Sequence, residues 1–141
     1  MPKNTRSIIV AVKGIIINQG KILIVQRASG DSIGAGTWEC AGGKIDFGEG
    51  LETALAREIL EETGLAVTVD RLLYASSFLT DPARQVVILT YLCRSDEYAV
   101  SLSEEHSDYQ WCTKLELRQM LPGGILADFE QSRVFELEEL L

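Results

Sequence analysis

The sequence predicts an α+β fold, a mixed β-sheet covered by helices on both faces, and three observations lead there. Aliphatic, β-branched runs occur in two separate pairs, each joined by turn residues. A helix-forming run closed by glycine lies between the pairs, and two further helical runs follow them. No repeat, low-complexity tract or Pro/Ser-rich linker divides the chain, so residues 1–141 are expected to form a single domain.

Ile8 to Ile17 is rich in Ile and Val, and Asn18-Gln19-Gly20 supplies a turn before the aliphatic run Lys21 to Gln26, which predicts a β-hairpin. The glycine-bearing stretch Ala28 to Thr37 is the longest irregular one. Glu52 to Thr63 carries strong helix formers without Gly or Pro, and Gly64 stands where a left-handed C-cap belongs. Ala66 to Ser77 and Gln85 to Cys93 favour strand and meet through Asp81-Pro82-Ala83, which predicts a second antiparallel pair. Tyr109 to Cys112 reads as a short strand, Lys114 to Met120 as a helix, and Leu126 to Leu140 as a final amphipathic helix with an acidic exposed side.

Composition bounds the partners. With 13 Lys+Arg against 21 Asp+Glu the formal charge is −8, and 46% of residues are hydrophobic. A protein that binds long nucleic acid needs a cationic surplus to displace condensed counterions, so duplex DNA is excluded as a partner class. A small polyphosphate remains compatible if a divalent cation mediates, because the metal turns surplus carboxylates into a binding site. Cys40, Cys93 and Cys112 are an odd number with no C-x-x-C spacing, which predicts buried thiols. Lys13 interrupts the first apolar run, and no segment has the length of a membrane span, so no membrane association and a cytoplasmic location are expected.

The chemistry concentrates in Gly42-Gly43-Lys44-Ile45-Asp46-Phe47-Gly48-Glu49 and the helix that follows. At about 100° per residue, Glu58, Glu61 and Glu62 fall within an arc of roughly 100° and project to one side, beside Leu55 and Ile59. Like charges at i and i+4 oppose helix formation, and acids near a helix C-terminus oppose the macrodipole. A hard divalent cation among the three carboxylates would resolve that conflict. Arg57 offers a fixed fork to pair with Glu49 or the neighbouring acids, and the paired glycines allow close backbone approach, or a carbonyl turned towards a ligand.

Gly43, Glu49, Arg57, Glu58, Ile59, Glu61, Glu62, Gly64 and Leu65 fill every position of G-x5-E-x7-R-E-U-x-E-E-x-G-U, U being aliphatic. This segment, residues 43 to 65, resembles the Nudix box, and Trp38-Glu39 with the preceding strand resembles the MutT-like branch of that family. Ala41 departs from the proline that many relatives carry there, which alters turn stiffness and no proposed ligand. The resemblance implies an α/β/α sandwich that uses Mg2+, or Mn2+, to hydrolyse a nucleoside diphosphate linked to another group by water attack on phosphorus.

Carried over by residue, the resemblance implies a metal set of Glu58, Glu61 and Glu62 with the Gly42 carbonyl, and Glu49 positioned by Arg57. The base comes either from the box helix, where Glu58 is the candidate, or from a later loop, where Glu105 is the preferred choice and also completes the metal site. Glu104 is read as surface and His106 as part of a solvated acidic turn. Arg27 and Lys44 are candidate phosphate contacts. Trp38, Phe47, Tyr74 and Phe78 are read as core aromatics ahead of base-stacking ones.

The leading expectation is a pyrophosphohydrolase that cleaves nucleoside triphosphates, oxidised ones included, to a nucleoside monophosphate and pyrophosphate. ADP-ribose or nucleotide-sugar hydrolysis is the first alternative, and a non-enzymatic nucleotide-sensing module the second; intact box acids weigh against the latter. Relatives are often homodimers, for which the apolar side of the last helix is the expected surface. Specificity is expected from loops such as Ser29 to Thr37 and Phe78 to Arg84.

Overall fold

A computed structural model describes residues 5–28 and 34–141, so most of the loop Ser29 to Thr37 lies outside the described residues. β1 (Ser7–Asn18) and β2 (Lys21–Arg27) form the expected hairpin, turning through Gln19 and Gly20, both at positive φ. They pair only at the turn, through Ile17↔Ile22 and Asn18↔Lys21, and then part. Beyond the split, β1 pairs with β4 (Ala41–Lys44), while β2 pairs with β3 (Trp38–Glu39) and with β7 (His106–Cys112).

β5 (Thr68–Asp81) and β6 (Arg84–Arg94) form the second antiparallel pair, turned by Asp81, whose Oδ1 accepts from Ala83 N at 2.7 Å. β6 then runs parallel to β1 from Ser7↔Arg84 to Ile17↔Arg94, which makes the sheet mixed. Strand alternation divides the core in two. Ile15, Ile17, Ile22 and Ile24 face one side with Phe129 and Phe135, whereas Val12, Ile16, Leu23 and Val25 face the other with Leu55 and Ile59. The helix α1 (Leu51–Thr63) covers the second side; α2 (Lys114–Met120) and α3 (Gly123–Gln131) cover the first, giving the expected α/β/α sandwich.

Gly64 closes α1 in the left-handed region at φ 75°, donating to the Leu60 carbonyl at 2.9 Å. Thr113 and Glu116 form a reciprocal capping box on α2. All three cysteines are buried free thiols, each pushed up to about 12 by burial, so none is poised for redox chemistry. Among the described residues no helix is long and apolar enough to cross a membrane.

Two expectations are corrected. The short strand at Tyr109 begins three residues earlier, at His106, because β2 supplies a pairing edge that reaches Arg27↔His106 across a bulge. The continuous helix Leu126 to Leu140 is instead α3, begun at Gly123 after Pro122, and a 3-10 turn at Val134–Glu136. Arg133 at φ 60° separates them. On a straight helix Val134 and Phe135 would point about 140° and 120° away from Phe129. The break turns both inward, and Phe135 meets Phe129 edge-on at 5.8 Å. Ile125, Leu126 and Leu137 pack on the same core, so this apolar side is used within the chain.

Candidate active site

The site forms where β4, the C-terminal half of α1 and the loop before β7 meet. Gly42 sits at φ 149°, and a Cβ there would run into the Val12 carbonyl, so only glycine lets β4 lie this close to β1. Its N–H donates to Glu62 Oε1 at 3.1 Å. The next residue serves α1 in a second way. A Cβ on Gly43 would stand 2.6 Å from Glu58 Cδ, so the missing side chain is the space the Glu58 carboxylate occupies.

Arg57 ties the acids together. Its Nε and one terminal nitrogen grip Glu49 through both oxygens at 2.6 and 2.9 Å, and Asp46 N adds a third donor to Glu49 at 2.9 Å. These hydrogen bonds hold the Glu49 carboxyl at about 2. The other terminal nitrogen reaches Glu58 Oε1 at 3.1 Å and Glu61 Oε2 at 3.3 Å. One guanidinium therefore orients three of the carboxylates singled out in the sequence.

Glu105 arrives from a separate part of the chain. Ser101 N and Ser103 N donate to the carbonyls of Thr63 and Glu62, and Ala28 N to the carbonyl of Glu105, pinning the loop against the end of α1 and of β2. Glu62 is only 4% exposed, and burial pushes its carboxyl up to about 7 even though Lys13 and the Gly42 N–H pull it down. Burial likewise raises Glu58, against the pull of Arg57, with Glu61 and Glu105 adding like charge. Oxygens of Glu62 and Glu105 and a ring nitrogen of His106 lie within 4.8 Å of one another. Such a group could hold a divalent ion.

His106, expected in a solvated turn, is buried. β7 starts with it, and its Nε2 lies 2.9 Å from Glu39 Oε2. Glu39 is a node that sequence reasoning noted only through Trp38-Glu39. Lys13 Nζ stands 3.4 Å and Arg27 3.0 Å from its Oε1. Burial raises the Glu39 carboxyl, but the His106 hydrogen bond and the two cations outweigh it and hold it at about 2. Lys13, a cation within an otherwise aliphatic strand, was the available signal.

Lys13, Arg27, Glu39, Glu58, Glu62, Glu105 and His106 line a cavity of about 620 Å³, bounded also by Lys44, Thr80, Arg84 and Val86, whereas Glu49, Arg57 and Glu61 stand outside its lining. Arg27 and Lys44 both reach it, Arg27 already engaged with Glu39. A second cavity of about 490 Å³, mostly apolar, shares Lys13, Glu39, Phe78 and Ile88 with the first and continues past Tyr74 to Ile125 and Asp128. Tyr74 packs edge-on against Phe129, as expected of a core aromatic, and also lines this space; Phe78, half-exposed, lines it too, and Phe47, expected in the core, is fully exposed.

The model of the NUDIX domain matches residues 8–134. The chain is 35% identical over 108 residues to a protein named CTP pyrophosphohydrolase from Escherichia coli K12, covering 77% of this chain and 78% of that one. It is 32% identical over 113 residues to a MutT-like protein from Streptomyces ambofaciens, covering 79% and 68%. Among solved structures, the MutT protein of Methanosarcina mazei Go1 superposes with a TM-score of 0.84 at 26% identity, covering 94% of this chain and 98% of that one.

Proposed function

We propose, because this chain belongs to the NUDIX family and is a hydrolase of phosphoanhydride bonds, that it is a divalent-metal-dependent pyrophosphohydrolase of nucleoside triphosphates. One observation carries the reading: an acidic wall made by Glu58, Glu62 and Glu105 lines a cavity edged by Arg27, Lys44 and Arg84, the more polar of two cavities that share Lys13, Glu39, Phe78 and Ile88. In this reading the first compartment takes the triphosphate and the second the nucleoside. The similarity to a protein named CTP pyrophosphohydrolase supports the substrate class.

The residues fit a divalent cation. Gly43 leaves the Glu58 carboxylate a cradle that a Cβ would fill, and Glu62 is a carboxylate kept buried at a cost that a cation would remove. Glu58, Glu61, Glu62 and Glu105 would hold Mg2+ or Mn2+, with the Gly42 carbonyl as a further oxygen. When bound, such an ion supplies charge neutralisation to the polyphosphate and a lowered pKa to water.

Glu58, whose carboxylate lies against Gly43 and is directed by Arg57, would take the proton of the attacking water. Water oxygen bonds to phosphorus, the bridging P–O bond breaks, and nucleoside monophosphate and pyrophosphate result. Arg57 and Glu49 fix the direction of Glu58 and Glu61. Lys44 and Arg27 meet the phosphate oxygens.

The test is product identification across canonical and oxidised nucleoside triphosphates, ADP-ribose and nucleotide sugars, with Mg2+ and with chelator. Chelator-sensitive release of pyrophosphate from triphosphates, lost in Glu58→Gln, is the expected result. Turnover confined to ADP-ribose or a nucleotide sugar would overturn the substrate class. Nucleotide binding without turnover of any of them would point to a sensing module.

A further inference from the structure

His106 is the chain's single histidine, and it is held so that one ring nitrogen is left for a ligand. Its side chain is 3% exposed. Nε2 faces the Glu39 carboxylate at 2.9 Å, and an ionised carboxylate only accepts, so Nε2 carries a proton. In the neutral ring Nδ1 then bears the lone pair. That atom is buried with no hydrogen-bond partner among the described residues. Folded proteins rarely leave a buried acceptor unmatched, because its lost hydration is then not made good.

The surroundings say what the match is. A ring nitrogen of His106 lies within 4.8 Å of oxygens of Glu62 and Glu105, a spacing at which three donors share one ion. A histidine that ligates through one nitrogen commonly donates its other N–H to a carboxylate, which fixes the ring and raises its basicity. Glu39 stands in that place. Lys13 and Arg27 neutralise Glu39, which therefore orients the imidazole without adding another charge to the metal.

We propose that Glu62, Glu105 and His106 Nδ1 form a mixed oxygen and nitrogen site for a divalent transition cation, with Glu39 fixing the imidazole from behind. The proposal rests on the reading of Glu62 and Glu105 as metal ligands and adds to it a nitrogen donor. Mg2+ favours oxygen and keeps its waters, whereas imidazole suits first-row transition ions, so this position prefers Mn2+ or Co2+ to Mg2+.

The experiment is pulsed electron paramagnetic resonance of Mn2+ bound to the untagged full chain without nucleotide. Because there is one histidine, labelling only that amino acid with 15N marks His106 alone. Expected is a nitrogen coupling to bound Mn2+ that changes with the label. His106→Gln should abolish it and weaken Mn2+ binding about tenfold, with Mg2+ binding changed less than twofold. Bound Mn2+ with no label-dependent coupling overturns the nitrogen ligand and leaves the carboxylate site standing; no Mn2+ binding at all overturns both. The isotope comparison needs no variant, so a misfolded His106→Gln would not obscure the answer.

Discussion

Gly43 and the Glu58 carboxylate occupy complementary space: a Cβ on the glycine would stand 2.6 Å from Glu58 Cδ and 3.0 Å from its Oε1. The obstacle is the end of a flexible side chain, so Gly43→Ala can fold by pushing Glu58 aside. We expect kcat/KM to fall about 10- to 100-fold, as for other changes that disturb the orientation of a metal-site ligand. Thermal melting should shift by only a few degrees. A variant with wild-type kcat/KM would show that Glu58 need not sit where Gly43 allows it.

Gly42, one residue earlier, should behave in the opposite way. There a Cβ would meet the backbone carbonyl of Val12, and φ is 149°, so neither neighbour nor backbone can yield cheaply. Gly42→Ala is expected to cost about 2–3 kcal/mol of stability, read as a lower denaturation midpoint. An unchanged midpoint would contradict the close approach of β4 to β1.

The contrast between these glycines shows how far sequence could reach. Spacing alone put Glu58, Glu61 and Glu62 on one side of a helix, because an α-helix has a fixed period. What spacing could not show is contact across the sheet: that Gly43 faces Glu58, that β1 runs parallel to β6, or that Glu39 gathers Lys13, Arg27 and His106. His106 looked like a turn residue because Ser103, Glu104, Glu105, Ser107 and Asp108 around it are polar. Its burial comes from pairing with Arg27 on β2 and from Glu39, both distant in sequence. The last helix misled because its apolar residues follow a helical pattern until Arg133, where the chain breaks to bring Phe135 onto Phe129.

Arg57→Lys tests whether orientation or charge is what the acids need. Lysine keeps the charge but cannot grip both Glu49 oxygens while reaching Glu58 and Glu61. We expect kcat to fall about 10- to 100-fold. The Glu49 carboxyl should rise from about 2 towards the ordinary range, observable by NMR titration. Arg57 also holds Glu58 down against burial, so the acid limb of the rate profile should move to higher pH. A variant with an unshifted acid limb would remove Glu58 from the role of base.

Glu104 and Glu105 are adjacent, both exposed, and differ in what they face. Glu105 is near Glu62 and His106, whereas Glu104 has no part in that group. Glu105→Gln should lower kcat/KM about tenfold or more and weaken divalent-cation binding, with an unchanged melting temperature. Glu104→Gln should leave all three near wild type. Equal effects from the two would reduce Glu105 to general surface charge.

Glu62 makes the metal-free fold pH-dependent between about 4.5 and about 7. Its carboxyl is pushed from 4.5 to about 7 by burial, so between those values the folded chain holds a proton that the unfolded chain has released. Raising the pH through that window lowers the stability of the chelator-treated protein, and above about 7 the full cost of a buried charge is in place. That cost is on the order of 3 kcal/mol. Glu62→Gln keeps an oxygen for the Gly42 N–H and removes the charge. In EDTA at pH 8 it should therefore melt several degrees above wild type, and near pH 4.5 the difference should vanish. Saturating divalent cation should stabilise wild type, by binding the folded state, and stabilise the variant much less. A Glu62→Gln protein that melts below wild type in EDTA at pH 8 would show that the buried carboxylate is a structural asset, and the trade of stability for metal binding would fail with it.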